Sequence, residues 1–182
     1  MTEEVNGKDF PVASKRDLTE QFSFLKKQNL KHADFANKTF QELFGEEVLK
    51  KLSVKSINYS SSIIAVNEGG GHFEIERLPS EVQYSSFNAS AIIDVNGDGK
   101  EDVLIGGNDY GFLPQFSRLD ASYGGLLVNK GDGEFRYVPC HEVGCETKGE
   151  VRDIKVIDDQ VLMGINGDSL KVLNIFSREI EI

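Results

Sequence analysis

The sequence predicts a mainly β protein with a small helical segment at its N-terminal end. Short apolar runs rich in β-branched residues and bounded by glycine, which are typical of strands, occur from residue 63 onward. A glycine-rich hairpin pattern occurs twice. Before residue 53, apolar residues recur instead at helical spacing. We therefore expect a helical segment over residues 1–53 and β repeats over residues 54–182.

Composition limits the classes of function. The chain has 182 residues, of which 39% are hydrophobic, so it can bury a core. Its formal net charge of −10 argues against nucleic acids and anionic membranes as partners. No apolar run approaches the ~20 residues of a membrane span, so we expect no membrane insertion. The first ten residues, MTEEVNGKDF, show no signal-peptide pattern. We expect either a cytosolic chain or a piece of a longer protein.

The N-terminal segment carries helix start signals. Ser14 can cap a helix, with Asp17 at the third helical position in the manner of a capping box. Leu18, Phe22 and Leu25 follow at helical spacing. A second stretch follows Thr39, is interrupted by Gly45 and continues from Glu46 to Leu52; its apolar residues are Phe40, Leu43, Phe44, Val48, Leu49 and Leu52. We predict a helical insert packed on the β repeats.

Two hairpins with the same pattern are the first half of an internal repeat. The residues VNEGGGHF at 66–73 match VNKGDGEF at 128–135, an offset of 62. Each copy is an apolar strand, a tight glycine-rich turn and a second strand. In the first copy, Phe73 and Ile75 face one way, whereas Glu74 and Glu76 face the other.

A pair of strands around an acidic loop is the second half of the repeat. Residues 94–102 read DVNGDGKED, with oxygen-bearing side chains at the first, third, fifth and ninth places and glycines between them. This is the spacing of a calcium loop. We predict a Ca²⁺ site with side-chain ligands Asp94, Asn96, Asp98 and Asp102 and the backbone carbonyl of Lys100. An acidic β-turn without metal is the alternative.

The loop does not follow the EF-hand pattern. An EF-hand requires a glutamate at the twelfth position, which is Ile105 in this chain. The runs on either side of the loop are short and β-branched, which indicates strands and not helices. We therefore predict a nine-residue loop that joins two strands.

The second copy of the strand pair lacks this loop. Residues 91–94 match residues 155–158 at an offset of 64, and residues 103–106 match residues 161–164 at an offset of 58. The second copy is therefore six residues shorter, with Asp158, Asp159 and Gln160 in place of the loop. Residues 166–168 then make a turn into a last strand, Leu170 to Phe176. We place the two repeats at about 54–107 and 120–182; chance similarity is the alternative.

Three other features leave alternatives open. Cys140 and Cys145 could form a disulfide or remain unlinked thiols. Arg118 and Asp120 could form a buried ion pair or contact a ligand. The long connection from Gly106 to Gly125 contains four aromatic residues, which either pin the loop to the core or form an exposed patch for a glycan or protein. These residues are Tyr110, Phe112, Phe116 and Tyr123.

Together these motifs resemble those of a known family. DVNGDGKED followed by VLIGG, with hairpins of the form VN-x-G-x-G-x-F, resembles the FG-GAP/VCBS repeats and the calcium loops of integrin α-subunit propellers. From about Pro11 to Phe176 the chain is similar to the C-terminal portion of VCBS repeat proteins of Bacteroidetes-type bacteria. There, a segment like residues 11–18 opens a helical insert, and a run like residues 106–128 links two repeats. The resemblance implies β-propeller blades in surface or secreted proteins that bind other macromolecules.

The expected function follows from this resemblance. We expect β-propeller-type repeats that form about two blades, whereas closed propellers need about four to eight. The chain would then be part of a longer protein, or would self-associate through open strand edges. We expect a calcium-stabilised, non-catalytic module that binds a protein or glycan outside the cell or at its surface. The alternatives are an accessory or catalytic part of a polysaccharide-active enzyme and a structural end-cap of a longer propeller.

Overall fold

The computed structural model describes residues 1–112 and 117–174. With 38% strand and 21% helix it is mainly β, which confirms the predicted fold class at that level. The chain divides into two compact units, Met1–Asn58 and Tyr59–Ile182. The helices before residue 50 lie in the first unit, and the repeated hairpins lie in the second.

The first unit opens with a hairpin that the sequence analysis did not predict. Strand β1 (Thr2–Val5) pairs antiparallel with β2 (Lys8–Pro11). Asn6 and Gly7 form the turn with φ of 52° and 73°. Two positive φ values are what a two-residue turn of type I′ requires, and Asn-Gly is its preferred sequence.

Five short helices complete the first unit: α1 (Lys15–Gln21), α2 (Ser23–Gln28), α3 (His32–Ala36), α4 (Phe40–Phe44) and α5 (Glu46–Leu49). Ser14 and Asp17 form the predicted capping box, and Thr39 forms another with Glu42. Leu18, Phe22 and Leu25 do not lie on one helix, because Phe22 separates α1 from α2. Leu18 packs against the same apolar cluster as Leu25, whereas Phe22 is 39% exposed. The buried apolar residues are Leu25, Phe35, Leu43 and Phe44.

The described residues of the second unit form three antiparallel sheets. Sheet 1 contains β3 (Ile63–Gly69) and β4 (His72–Arg77). Sheet 2 contains β5 (Phe87–Ile93), β6 (Asp102–Gly107), β7 (Gly125–Gly131) and β8 (Glu134–Pro139), paired in chain order. Sheet 3 contains β9 (Val151–Ile157), β10 (Gln160–Ile165) and β11 (Lys171–Leu173). The predicted last strand corresponds to β11, but its end at Ile175 and Phe176 lies outside the described residues.

Both predicted hairpins form, and they share one register. Asn67 lies opposite Phe73 in sheet 1, and Asn129 lies opposite Phe135 in sheet 2; in each hairpin a bulge follows the asparagine. The turn residues have φ of 89°, 60° and 83° at 69–71 and of 95°, 53° and 82° at 131–133. These values are all positive, which explains why glycines flank both turns.

The loop-bearing strand pair and its shorter counterpart also share one register. Ile92 lies opposite Val103 in sheet 2, and Val156 lies opposite Val161 in sheet 3. Eight residues, 94–101, join β5 to β6, whereas Asp158 and Asp159 alone join β9 to β10. The same two strands can therefore be closed by two residues.

The two central strands of sheet 2, β6 and β7, are buried on both faces. Leu104, Leu126 and Val128 face sheet 3, where they join a core cluster with Ile154 and Met163. The alternate residues Ile105 and Leu127 face the other way, toward Leu78 and Val82 in the segment after β4, whose residues Ser80–Gln83 form a 3₁₀ turn. Strand alternation thus divides the apolar residues of one sheet between two cores.

A disulfide joins Cys140 to Cys145, with Cα atoms 4.7 Å apart. The bridge closes over the short helix α6 (Cys140–Val143), which ends at Gly144 with a φ of 79°. Both cysteines are fully buried in the core between sheets 2 and 3. Of the two alternatives for these residues, the structure contains the disulfide.

Candidate metal centre

The acidic loop joins β5 to β6 and is organised by its own backbone. Gly97 and Gly99 have φ of 74° and 81°, which glycine adopts at no steric cost. One carboxylate oxygen of Asp94 accepts a hydrogen bond from the amide of Gly97 at 2.8 Å, and the other accepts from the amide of Gly99 at 3.0 Å. The first predicted ligand therefore holds the turn together.

The exposed tip of the loop carries the next three predicted ligands. The side-chain oxygen of Asn96 accepts from the amide of Asp98 at 3.0 Å, and Asp98 Oδ1 accepts from the amide of Lys100 at 2.9 Å. The hydrogen bond from Lys100 lowers the pKa of Asp98 below its ordinary value. Lys100 Nζ lies 3.6 Å from Asp98 Oδ2, so this carboxylate is ionised beside an exposed cation.

Asp102, the last predicted ligand, is fully buried at the start of β6. Its Oδ2 accepts from the amide of Val95 at 3.0 Å, and its Oδ1 accepts from the amide of Asn129 at 2.8 Å. Buried polar groups are retained when they are hydrogen-bonded. Asp102 thus connects the loop to β7, and this contact requires no metal.

The described residues do not contain three or more His, Cys, Asp or Glu side chains grouped to hold a metal ion. The structure places Asp94 and Asp98 on the loop and Asp102 at the start of β6, and backbone amides donate to all three carboxylates. The donor set itself fits calcium, because carboxylate, amide and carbonyl oxygens are the ligands of this hard cation. Each carboxylate also keeps lone pairs beyond those that accept the amides.

The aromatic residues of the long connection are exposed where the structure describes them. Tyr110, Phe112 and Tyr123 are 37%, 43% and 45% exposed, and Phe116 lies outside the described residues. The guanidinium of Arg118 lies 4.2 Å from the ring centroid of Tyr110. Of the two alternatives, the described rings fit the exposed patch.

Arg118 also forms the expected ion pair with Asp120, at 3.2 Å. Of the two alternatives for these residues the structure contains the ion pair, but the pair is not buried, because the two side chains are 57% and 51% exposed. An exposed pair of this kind contributes little to stability, since water screens both charges.

Asn108 is a buried polar residue that the sequence analysis missed. Its Nδ2 donates to the carbonyl oxygens of Ser122 at 2.7 Å and Gly149 at 2.9 Å, and its Oδ1 accepts from Ser85 Oγ at 2.8 Å. It therefore joins three separate segments. The internal repeat is the pattern that could have indicated this role of Asn108, because Asn166 follows β10 at the same offset of 58 residues.

Glu150, also missed, is 1% exposed at the start of β9. Its carboxylate accepts hydrogen bonds from Asn166 Nδ2, from the amide of Tyr110 at 3.1 Å and from Arg152. The bond from Asn166, and then that from Tyr110, lower the pKa of Glu150. A lone glutamate after Lys148 and Gly149 is typical of a surface turn, so no local sequence pattern indicates this role.

A scan against protein-family models and searches of curated proteins and of solved structures found no match for this chain. None of the described helices combines the length and the apolar character that a membrane span requires.

Proposed function

We propose that the chain is a non-catalytic, calcium-stabilised module of β-propeller-type repeats that binds a protein or glycan. One observation carries the calcium part of the proposal. The counterpart hairpin closes the same strand register with Asp158 and Asp159 alone. The six additional residues of the acidic loop are therefore not needed for the hairpin, and they bring oxygen donors at alternate positions.

The residues that would hold the ion divide into a base and a tip. Asp94 and Asp102 would contribute oxygens from the base, where backbone amides already orient their carboxylates. Asn96, Asp98 and the carbonyl of Lys100 would contribute from the exposed tip. Calcium would offset the repulsion among the three carboxylates and would thereby stabilise the β5–β6 hairpin.

The arrangement of the sheets supports the propeller-type part of the proposal. Sheet 2 is a four-stranded antiparallel meander, and its two faces pack against sheet 3 and against the segment after sheet 1. Small antiparallel sheets of about four strands are the units of β-propellers. On this view sheet 2 is a whole blade, whereas sheets 1 and 3 correspond to parts of its neighbours.

The long connection between β6 and β7 supplies the proposed binding surface. Tyr110 and Tyr123 are exposed, and each ring lies near a cation, Arg118 or Lys148. Exposed aromatic faces with polar groups beside them suit sugars and protein surfaces. The buried disulfide supports a place outside the cell, since disulfides persist in oxidising compartments.

Thermal melts in EDTA and across a calcium titration test the proposal. Binding to the native state alone stabilises the fold by RT ln(1 + [L]/Kd), which is about 1.4 kcal/mol at ten times Kd. We expect wild type to gain this stability and Asp98→Ala to lose the gain. Asp159→Ala is the matched control, because it removes an exposed aspartate from the counterpart turn, and it should respond to calcium as wild type does.

The concentration range follows from the affinity of extracellular calcium modules, whose Kd is ~10⁻⁴–10⁻³ M. The titration should therefore reach about ten times the upper value. If wild type shows no shift over this range, or if Asp98→Ala shifts equally, the acidic loop is a turn without metal.

A further inference from the structure

One face of sheet 1 carries exposed apolar side chains. Ala65 lies opposite Ile75, and Phe73 lies two residues before Ile75 on β4, so these side chains share a face with Ile63. Ile63, Phe73 and Ile75 are 37%, 51% and 60% exposed. Contiguous exposed apolar side chains of this kind commonly mark an interaction surface.

The other face of sheet 1 points toward sheet 2. Val66 lies on that face, and a Cβ placed on Gly133 in the β7–β8 turn would be 3.2 Å from its Cγ2. Ile64 and Glu76, which share this face, line a cavity of about 210 Å³ together with Phe135 of sheet 2. The exposed apolar face therefore points away from sheet 2.

The internal repeat shows what the equivalent face of sheet 2 contacts. At the offset of 62 residues, the counterparts of Ala65, Phe73 and Ile75 are Leu127, Phe135 and Tyr137. These three belong to the core cluster that contains Leu78 and Val82 from the segment after sheet 1, and Leu127 is only 2% exposed. In sheet 2, this face is covered by the preceding part of the repeat array.

Sheet 3 also has an outer face with exposed apolar side chains. It corresponds to the other face of sheet 2, the one that carries Leu104. Val161 and Met163 on β10 point into the core, so Leu162 between them points outward. On this outer face Leu162 pairs with Lys155 of β9 and with Val172 of β11. Val172 is 50% exposed. The counterpart of Leu162 at the offset of 58 is Leu104, which is fully buried in the core with sheet 3.

We infer that a second copy of this chain covers these faces, with the outer face of sheet 1 of one copy packed on the outer face of sheet 3 of another. The sheet 1 face is the counterpart of the sheet 2 face that packs on the segment after sheet 1, and the sheet 3 face is the counterpart of the sheet 2 face that packs on sheet 3. Head-to-tail association would therefore continue an interface that the chain already makes internally. Such a contact is heterologous and does not stop at two copies unless a ring closes. It does not depend on calcium, so it stands apart from the metal part of the proposed function.

Sedimentation velocity of the 182-residue chain across micromolar to near-millimolar concentrations tests this inference in EDTA. We expect wild type to grow beyond a dimer as concentration rises. Ile75→Glu and Val172→Glu should each remain monomeric, because each variant loses one of the two faces. Ile57→Glu is the matched control, since that side chain is 84% exposed and lies outside both faces; it should associate as wild type does.

An equimolar mixture of Ile75→Glu and Val172→Glu gives the sharpest result. One variant keeps the sheet 3 face and the other keeps the sheet 1 face, so a single intact contact should form and yield a dimer. Circular dichroism melts establish that both variants fold. Wild type that stays monomeric throughout would overturn the inference, as would folded variants whose mixture stays monomeric.

Discussion

Asp102 and Asp98 were predicted to have the same role, but the structure gives them different surroundings. Asp102 is fully buried, and its two oxygens hold the amides of Val95 and Asn129. A buried carboxylate without such donors would be strongly disfavoured. Asp98 lies at the exposed tip, where its partners are within the loop. The loop therefore has a base that the fold needs and a tip that is available to a cation, and for this reason Asp98 is the better position for a metal test.

Glu150 makes the stability of the second unit depend on pH. Its folded-state pKa is below the ordinary value of 4.5, so the ionised carboxylate stabilises the fold above that pH. The stabilisation is lost as pH falls through the lower folded pKa. In Glu150→Gln we expect a lower free energy of unfolding at neutral pH and a shallower loss below pH 4.5, measured by urea unfolding across the acid range.

Other carboxylates also titrate in this range, so Glu150→Gln needs a matched control. Glu142→Gln removes a carboxylate whose side chain is 59% exposed. Its free energy of unfolding should fall with decreasing pH in parallel with that of wild type. A Glu150→Gln profile parallel to both would contradict a structural role for the ionised Glu150.

At the scale of elements, the shared register of the two hairpins allows the acidic loop of one to be replaced by the short turn of the other. Replacing residues 94–101 with Asp-Asp, the turn of the β9–β10 hairpin, should leave the β5–β6 pairing intact because both hairpins share one register. The variant should lose its calcium response. It should also melt at a lower temperature, because the buried Val95 side chain, worth about 1.5–3 kcal/mol, leaves the core. Thermal melts with and without calcium measure both effects.

The β9–β10 turn supplies the control for this loop replacement. Changing Asp158 and Asp159 to Asn-Gly keeps a two-residue turn and should leave the calcium response unchanged. An exchanged variant that still gains stability from calcium would place the metal site elsewhere in the chain.

Elements with local signals could be predicted from the sequence. The capping box at Ser14 and both glycine-rich hairpins depend on residues a few positions apart, and the structure contains them. The β1–β2 hairpin was missed although Asn6-Gly7 is a strong turn signal, because β1 is exposed throughout and lacks apolar alternation. The break between α1 and α2 at Phe22 was missed for a different reason, since the spacing of apolar residues alone does not show where a helix ends.

The candidate site was predictable only in part. The spacing of residues 94–102 gives the kind and order of the oxygen donors, but not which amide each oxygen meets. The partner of Asp102 at Asn129 lies in another hairpin, and Glu150 meets the amide of Tyr110 from 40 residues away. Such contacts arise from the packing of sheets. Sequence patterns within one element therefore do not reveal them.

At the scale of the whole molecule, the second unit repeats one arrangement of sheets. Leu104 of sheet 2 faces sheet 3, and Leu127 faces the segment after sheet 1, so each sheet uses opposite faces for its two neighbours. Sheets 1 and 3 each use one such face and expose the other. Because the exposed faces of sheets 1 and 3 are the counterparts of faces that sheet 2 buries, they are the expected contact surfaces of the second unit.

Net charge opposes the proposed contact between copies and makes it sensitive to salt. Each chain carries a formal charge of −10, so two copies repel each other while their apolar faces attract. The Debye length falls from about 30 Å at 0.01 M salt to about 8 Å at 0.15 M, which screens the repulsion but leaves the apolar contact in place. We therefore expect the dissociation constant, measured by sedimentation in EDTA, to fall severalfold over this range. Ile75→Glu should stay monomeric at both salt concentrations. A dissociation constant that rises with salt would mean that ion pairs hold the copies together instead of the apolar faces.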